Sequence, residues 1–402
     1  MTELICEGLE ESKQHVLRDF LMKRFDFRFN VLTEMPEFKR KHEQNYRMVD
    51  KRSMNSLCIE TMMTDLKCCD RDVSRFLFSE QIPTYHPFVD YMRNLPDWDG
   101  TDRVTMIAAR VSGNGIWLNA FHCWMLGMVA QWMGYDARCA NAFAPLLIST
   151  EQGMGKSTFC SILLPQELRN YYVDKFDITS TSGCEQKLST MGLINMDEFD
   201  RYSESMMATL KNLMQMKRLN FRKCFKAYYN TLPRIASFIG TSNEKSLLTD
   251  VSGSRRFLCI EVENPIDCSP IEYGQLYAQL KWELENGRRY WLSKEEETEI
   301  QLHNKAYYRH SPVEEVFHKV FRLPNEGEEC IEMTATDIFI MLQKRYPAVL
   351  RGANPRGLGK ILRKVGAERI RRQYGSVYRI ARLACDESKT YTVKPSDNQM
   401  VA

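Results

Sequence analysis

Four short apolar runs, each closing on polar or acidic residues, organise the middle of this chain. They are Leu146-Leu147-Ile148, Met191 to Met196, Ile235 to Gly240 and Phe257 to Val262. Continuous rather than alternating apolar runs of this length are expected of strands buried on both faces of a parallel sheet. After the first run, Phe159, Ile162 and Leu163 recur at helical spacing, so the pattern there is strand, loop and helix. Ile116 to Met133 is the most apolar stretch, but Asn119, His122 and Gln131 interrupt it and it is short for a membrane span; a buried helix is expected.

On the amino-terminal side, Val16, Leu17, Phe20 and Leu21 mark a helix face. Phe25, Phe27, Phe29 and Val31 then alternate with Asp26, Arg28 and Asn30 as in a half-buried strand. Leu57, Ile59, Met62, Met63 and Leu66 predict a further helix, with Asp70 as the cap of the next one. Pro83, Pro87 and the turn-rich L-P-D-W-D-G from Leu95 to Gly100 punctuate the chain and place a boundary there.

On the carboxyl-terminal side, Ser311-Pro312-Val313-Glu314 reads as a capping box opening a helix with the stripe Val313, Val316, Phe317, Val320 and Phe321. Helices at Thr334 and after Pro355 follow, then strand, turn and strand from Arg369 to Arg382. The expected division is a mainly helical domain at 1–96, an α/β domain with a parallel sheet at 97–304, a winged-helix-like domain at 305–385 and a disordered tail at 386–402.

Composition narrows this little, but charge changes the picture. At 402 residues and 44% hydrophobic content, the chain can bury two or three cores. Its thirteen cysteines form no C-x-x-C and its seven histidines no H-x-x-x-H, which speaks against a zinc site and for reduced thiols in a cytoplasmic protein. No signal-peptide pattern opens the chain, and no membrane role is expected. The net charge of +3 conceals an asymmetry: between Ile338 and Cys385 the only acid is Glu368, against twelve lysines and arginines. That end is suited to a polyanion. Within the expected helix-plus-wing pattern, Lys360, Arg363, Lys364, Arg371 and Arg372 are the candidate DNA contacts.

The candidate chemistry gathers at the ends of the apolar runs. Gly153-Met154-Gly155-Lys156-Ser157-Thr158 has the glycines that turn backbone N–H groups toward a phosphate, a lysine able to reach the β/γ-phosphates, and a hydroxyl able to hold magnesium. One position departs from the usual pattern, with Thr150 where the first glycine stands. The second run ends in Asp197-Glu198, fitting a carboxylate that completes a magnesium site opposite Ser157 and a second that orients water. The third ends in Asn243, a candidate γ-phosphate sensor. Arg255 and Arg256 precede the fourth as candidate arginine fingers for a neighbouring subunit, or as surface arginines in ordinary ion pairs. Leu210 to Lys226 carries Arg218, Arg222, Lys223 and Lys226 with no acid, and aromatics interleave it through Tyr229; single-strand binding and a solvated face over an aromatic core both fit.

In this order, E-Q-G-M-G-K-S-T, D-E-F-D, the basic segment, P-R-I-A-S-F-I-G-T-S-N and D-V-S-G-S-R-R-F resemble the virulence-associated E family of phages and mobile elements, and through it the superfamily 3 helicases of the AAA+ class. The resemblance spans Asp97 to Val262. It implies a P-loop core binding ATP and magnesium at Gly153, Gly155, Lys156, Ser157, Thr158 and Asp197. It further implies hydrolysis at Glu198, sensing at Asn243, a finger at Arg255 or Arg256, DNA contacts from a hairpin at Arg222 to Lys226, and self-association, with a hexameric ring expected. The leading expectation is an ATP-dependent DNA helicase or translocase. A nucleotide-switched loader, or an origin-binding protein with a vestigial ATP site, are the alternatives.

Overall fold

The computed structural model describes residues 2–63, 68–135, 140–179, 181–221, 230–248, 254–309, 311–325, 327–328, 330–373 and 375–383. The chain divides into two compact units, one of residues 1–247 with 252–305, the other of residues 306–402 with 248–251.

The first unit begins with helix α1 (Thr2–Arg24), strands β1 (Phe25–Asn30), β2 (Met35–Arg40) and β3 (Arg47–Met48), helices α2 (Lys51–Met62) and α3 (Asp70–Leu77), and strand β4 (Thr84–Tyr85). The strands form a sheet ordered β3-β2-β1-β4, with Phe25, Phe27 and Phe38 turned into a core shared with Leu17, Leu21, Leu57 and Phe76. The expected strand is β1, but it ends at Asn30: Asn30 is fully buried and Val31 is exposed in the turn that follows. The helix expected from Leu57, Ile59, Met62, Met63 and Leu66 is α2, with Leu66 outside the described residues; it buries Leu57, Cys58 and Thr61 and leaves Ile59, Met62 and Met63 exposed, because apolar residues spaced three and four apart need not lie on the face that finds a partner. One reading of this region is corrected. Asp70 is the first residue inside α3; the capping position is Cys69, whose backbone N–H is bound by Asp72 at 3.0 Å.

Helices α4 (Pro87–Arg93), α5 (Arg103–Ala109) and α6 (Gly115–Trp132) lead into the second sheet. The α6 helix is buried almost all round, as its apolar sequence requires, and Trp117, Trp124 and Trp132 fill the core beside it. Then come β5 (Ala144–Ile148), α7 (Lys156–Ile162), β6 (Tyr172–Val173), α8 (Thr181–Thr190), β7 (Leu193–Met196), α9 (Glu204–Gln215), β8 (Arg218–Phe221), β9 (Asn230–Pro233), β10 (Ser237–Ser242) and β11 (Phe257–Glu261), followed by α10 (Tyr273–Glu285) and α11 (Lys294–His303). Five of these strands form a wholly parallel sheet in the order β11-β5-β10-β7-β6. All four apolar runs are therefore strands, and β5, β7 and β10 are buried at every position. At Gly240 the strands approach so closely that a Cβ would lie 2.6 Å from Leu146 and 3.2 Å from the Met196 carbonyl. The β8–β9 pair is an antiparallel hairpin set apart from that sheet.

The second unit carries α12 (Pro312–Val320), β12 (Phe321–Arg322), β13 (Ile331–Thr334), α13 (Ala335–Arg345), α14 (Pro355–Val365), β14 (Arg369–Arg372) and β15 (Gly375–Arg382). Strands β12, β13 and β14 all pair antiparallel with β15. Phe317, Phe321, Ile338, Leu342, Leu358, Leu362 and Ile380 make its core. Ser311 caps α12, but the buried Glu314 carboxylate accepts a bond from Lys364 at 3.0 Å. Thr334 and Asp337 form a full capping box at α13.

Candidate functional site

The carboxyl ends of β5, β10 and β7 lie side by side, and the polar residues that follow each strand meet there. The chain leaves β5 at Ile148, turns through Gly153 (φ 77°) and Gly155 (φ 80°), and enters α7 at Lys156. Left-handed backbone at two closely spaced positions is what the glycines supply. Thr150 needs no such freedom: among the described residues only Glu34 and Glu198 combine a side chain with positive φ. The Ile266 N–H bonds the Met154 carbonyl at 3.0 Å, and a Cβ on Gly155 would stand 3.4 Å from Cys268 Sγ, so a segment after β11 braces the loop.

Lys156 is buried, and its Nζ donates to the Ser149 carbonyl at 2.9 Å, the Glu151 carbonyl at 3.3 Å and Asn243 Oδ1 at 3.0 Å. Burial lowers its pKa, while Asp197 and Asp200 oppose that shift. Ser157 Oγ donates to Asp197 Oδ1 at 3.1 Å, and the Thr241 hydroxyl donates to the same oxygen. Asp200 accepts from Ser242 Oγ at 2.9 Å and from the Asn243 N–H at 3.4 Å. Glu198 has φ 51°, an uncommon conformation for a residue with a side chain, and its carboxylate meets Arg201 at 2.6 Å. Lys156, Ser157, Asp197 and Asn243 are thus brought into one hydrogen-bonded constellation, with Glu198 next to Asp197 along the chain. Met154 is buried beneath the loop and Thr158 is exposed on α7.

Three partners in this constellation were not singled out from sequence: Thr241, Asp200 and the brace at Ile266–Cys268. Their signal was faint. Thr241 and Ser242 are polar residues at the end of an apolar strand, and Asp200 is the last acid of D-E-F-D. Their importance follows from β10 lying between β5 and β7, a long-range pairing.

Arg255 and Arg256 are elsewhere. They precede Phe257, which pairs with Ala144 at the amino ends of two parallel strands, so they stand at the opposite end of the sheet from Lys156. Arg255 contacts Glu297 at 3.3 Å, and both arginines border a cavity of about 340 Å³ with Tyr290 and Trp291. Arg218 is exposed on β8, whereas Arg222, Lys223, Lys226 and the tail after Asp386 lie outside the described residues. In the second unit, Arg356, Lys360 and Arg363 are exposed at i, i+4 and i+7 on α14, opposite the buried Leu358 and Leu362. Lys364 is committed to Glu314, and Arg372 to Glu332 at 2.8 Å; Arg371 is exposed.

Among the described residues no helix is long and apolar enough to cross a membrane. The chain belongs to the virulence-associated protein E-like domain family, whose model matches residues 92–309. Residues 310–380 match a domain of unknown function from a B. Theta gene description. No curated protein matches the chain. Among solved structures, it is similar to the apo C terminal region of NrS-1 at 14% identity and a TM-score of 0.45, over 92% of this chain and 98% of that one. The A form of that apo region matches at 13% and 0.45, over 91% and 98%. Likeness at that level carries nothing about the site.

Proposed function

We propose that this protein is an ATP-dependent DNA helicase or translocase serving replication of a phage or mobile element, built on a P-loop core of AAA+ type. The observation that carries the reading is the constellation at the sheet's carboxyl edge: a buried lysine on a glycine turn, a hydroxyl on a carboxylate, and a strand-end amide on the lysine. Such an edge is where open α/β sheets bind ligands. The donor set fits magnesium, since Ser157 and Asp197 offer hard oxygen ligands from two elements. When bound, that ion would neutralise charge on the β- and γ-phosphates. Lys156 would exchange its loop carbonyls and Asn243 for phosphate oxygens, and the α7 amino end would add its N–H groups. Glu198, released from Arg201, would take the proton of the attacking water, and Asn243 would read the γ-phosphate.

Arg255 and Arg256 stand too far round the sheet to serve their own Lys156, which favours action on a neighbouring subunit and hence self-association as a ring. The β8–β9 pair lies between the Asp197 strand and the Asn243 strand in sequence, so the basic residues Arg222, Lys223 and Lys226 between its strands would follow the nucleotide state along single-stranded DNA. In the second unit the order helix, strand, strand, helix, helix, strand, strand contains the helix, strand, helix, helix, strand, strand of a winged helix once the two-residue β12 is set aside, with α14 and its three aligned cations as the element that would dock on duplex. DNA-stimulated ATP turnover and strand displacement test the reading together. Turnover indifferent to DNA, with no displacement, would favour the nucleotide-switched loader instead.

A further inference from the structure

The sheet β3-β2-β1-β4 near the amino terminus lies outside the residues the family model matches and has no part in the reading above. We propose that it is a binding site for single-stranded nucleic acid, with bases on one side of the edge strand β3 and phosphates on the other. Two cavities flank that strand, of about 1320 and 570 Å³, and Arg47 and Met48 line both.

The smaller cavity has the chemistry of a phosphate site. Phe25 and Phe38 form its floor, and Arg40 and Arg47 lie over them with guanidinium carbons 5.0 and 4.7 Å from the ring centroids. Arg52, Ser53 and Ser56 complete the wall. Arg40 is paired with Glu60, and Asp50 caps α2, so part of the charge is committed; Arg47 and Arg52 are exposed. Between Pro36 and Arg52 the chain carries six lysines and arginines against three carboxylates. Arginines stacked on aromatic floors present their donor forks outward in fixed directions, which suits phosphate oxygens.

The larger cavity is different. Arg28 lies between Tyr46 and Tyr85, 4.0 and 3.5 Å from the ring centroids, and Glu37 holds its guanidinium at 2.6 Å. The fully buried Asn30 donates to Glu37 at 2.7 Å and to Tyr171 at 2.8 Å, fixing the back wall. With those charges neutralised, the remaining lining is rich in amides, among them Gln44, Asn45, Asn170 and Gln186. Glu34 and Glu167 make this cavity unwelcoming to phosphates, while carboxamides pair with the edges of unstacked bases. An amide-lined cavity with more carboxylates than arginines beside an arginine-lined one, sharing Arg47, is what a strand with splayed bases requires. A duplex, whose bases are stacked inside, would leave the larger cavity unused.

The test uses the full chain with Lys223, Lys226, Arg356, Lys360 and Arg363 changed to alanine, so that neither the basic segment after β8 nor the second unit masks the result. Fluorescein-labelled single-stranded DNA, RNA of the same sequence and a blunt DNA duplex are titrated at several salt concentrations. Arg47→Ala with Arg52→Ala is expected to shrink the log–log salt slope for single strands by about 1.4, as two lost phosphate contacts should. Gln44→Ala with Asn45→Ala is expected to weaken binding about fivefold while leaving that slope unchanged. All four residues are exposed, and the loss of Arg47 from the Phe38 ring should move thermal melting only slightly, so melting serves as the folding control. The DNA and RNA arms identify which strand is preferred, and binding of either in this pattern supports the site. Single-strand affinity and slope unchanged in both variants, or losses confined to the duplex, would overturn it. ATP turnover is not the readout, so failure here leaves the reading of the Lys156 site standing.

Discussion

The Lys156 site and the exposed face of α14 both concentrate positive charge, yet they treat it in opposite ways. Lys156 is buried and every donor it has is directed at a carbonyl or amide oxygen from another part of the site. Arg356, Lys360 and Arg363 are exposed, with Arg363 Nε donating to the Gly359 carbonyl at 3.2 Å, and no carboxylate of the described residues is paired with them. A group that must act on one atom is held by its surroundings before the ligand arrives. Groups that answer to a polyanion gain from staying loose and solvated, since their contribution is collective and salt-dependent. Lys364, close by in sequence, sharpens the contrast: its bond to the buried Glu314 makes it part of the fold.

If that distinction holds, the largest loss should come from Lys156→Ala. ATP turnover is expected to fall about a hundredfold or more, the order seen when one preorganised electrostatic group is removed, with duplex affinity unchanged in a salt-controlled titration. Glu198→Gln should be nearly as severe in turnover while nucleotide binding persists, because the amide keeps the shape but not the proton acceptor; equilibrium binding and hydrolysis measured on the same preparation separate the two.

Mixing Lys156→Ala chains with chains bearing Arg255→Ala and Arg256→Ala should restore part of the activity neither has alone, if subunits exchange. A strictly monomeric protein with full turnover would remove the finger assignment. Neutralising Arg356, Lys360 and Arg363 should lower the duplex salt slope by about 2.7 and leave basal turnover intact.

The smallest effect concerns acid stability. Arg322 and the Asn325 N–H hold the Glu328 carboxyl down at about 2, against an ordinary 4.5. A depressed carboxyl stabilises the fold above its unfolded value and loses that contribution as pH falls toward 2. Glu328→Gln should therefore flatten the acid limb of a melting-versus-pH curve slightly, and only between those values.

Much of the central sheet was legible because strands buried on both faces must be apolar throughout, which leaves an uninterrupted signature at β5, β7, β10 and β11. The loop was legible because two left-handed turns require glycines and the following helix must begin at the lysine. What could not be read was adjacency. Thr241 becomes a partner of Asp197 only because β10 inserts between β5 and β7, and nothing local encodes that order. The amino-terminal sheet was half visible for the opposite reason. Its β1 strand alternates in sequence, but β2 begins Met35-Pro36 and carries Glu37, Lys39 and Arg40, and the edge strand β3 is two residues long, so neither leaves an apolar pattern. Ile59, Met62 and Met63 misled because apolar spacing reports a possible face, while burial depends on what packs against it.

The central claim is that the Lys156 constellation is a magnesium-nucleotide site, and a binding titration tests it most directly. ATP affinity of the intact chain and of Asp197→Asn would be measured with magnesium and with a chelator. The intact chain should bind much more tightly with the metal, and the variant should lose most of that difference while keeping its metal-free affinity. Equal metal dependence in both proteins would contradict the assignment of Asp197 and Ser157, and with it the account of the sheet's carboxyl edge.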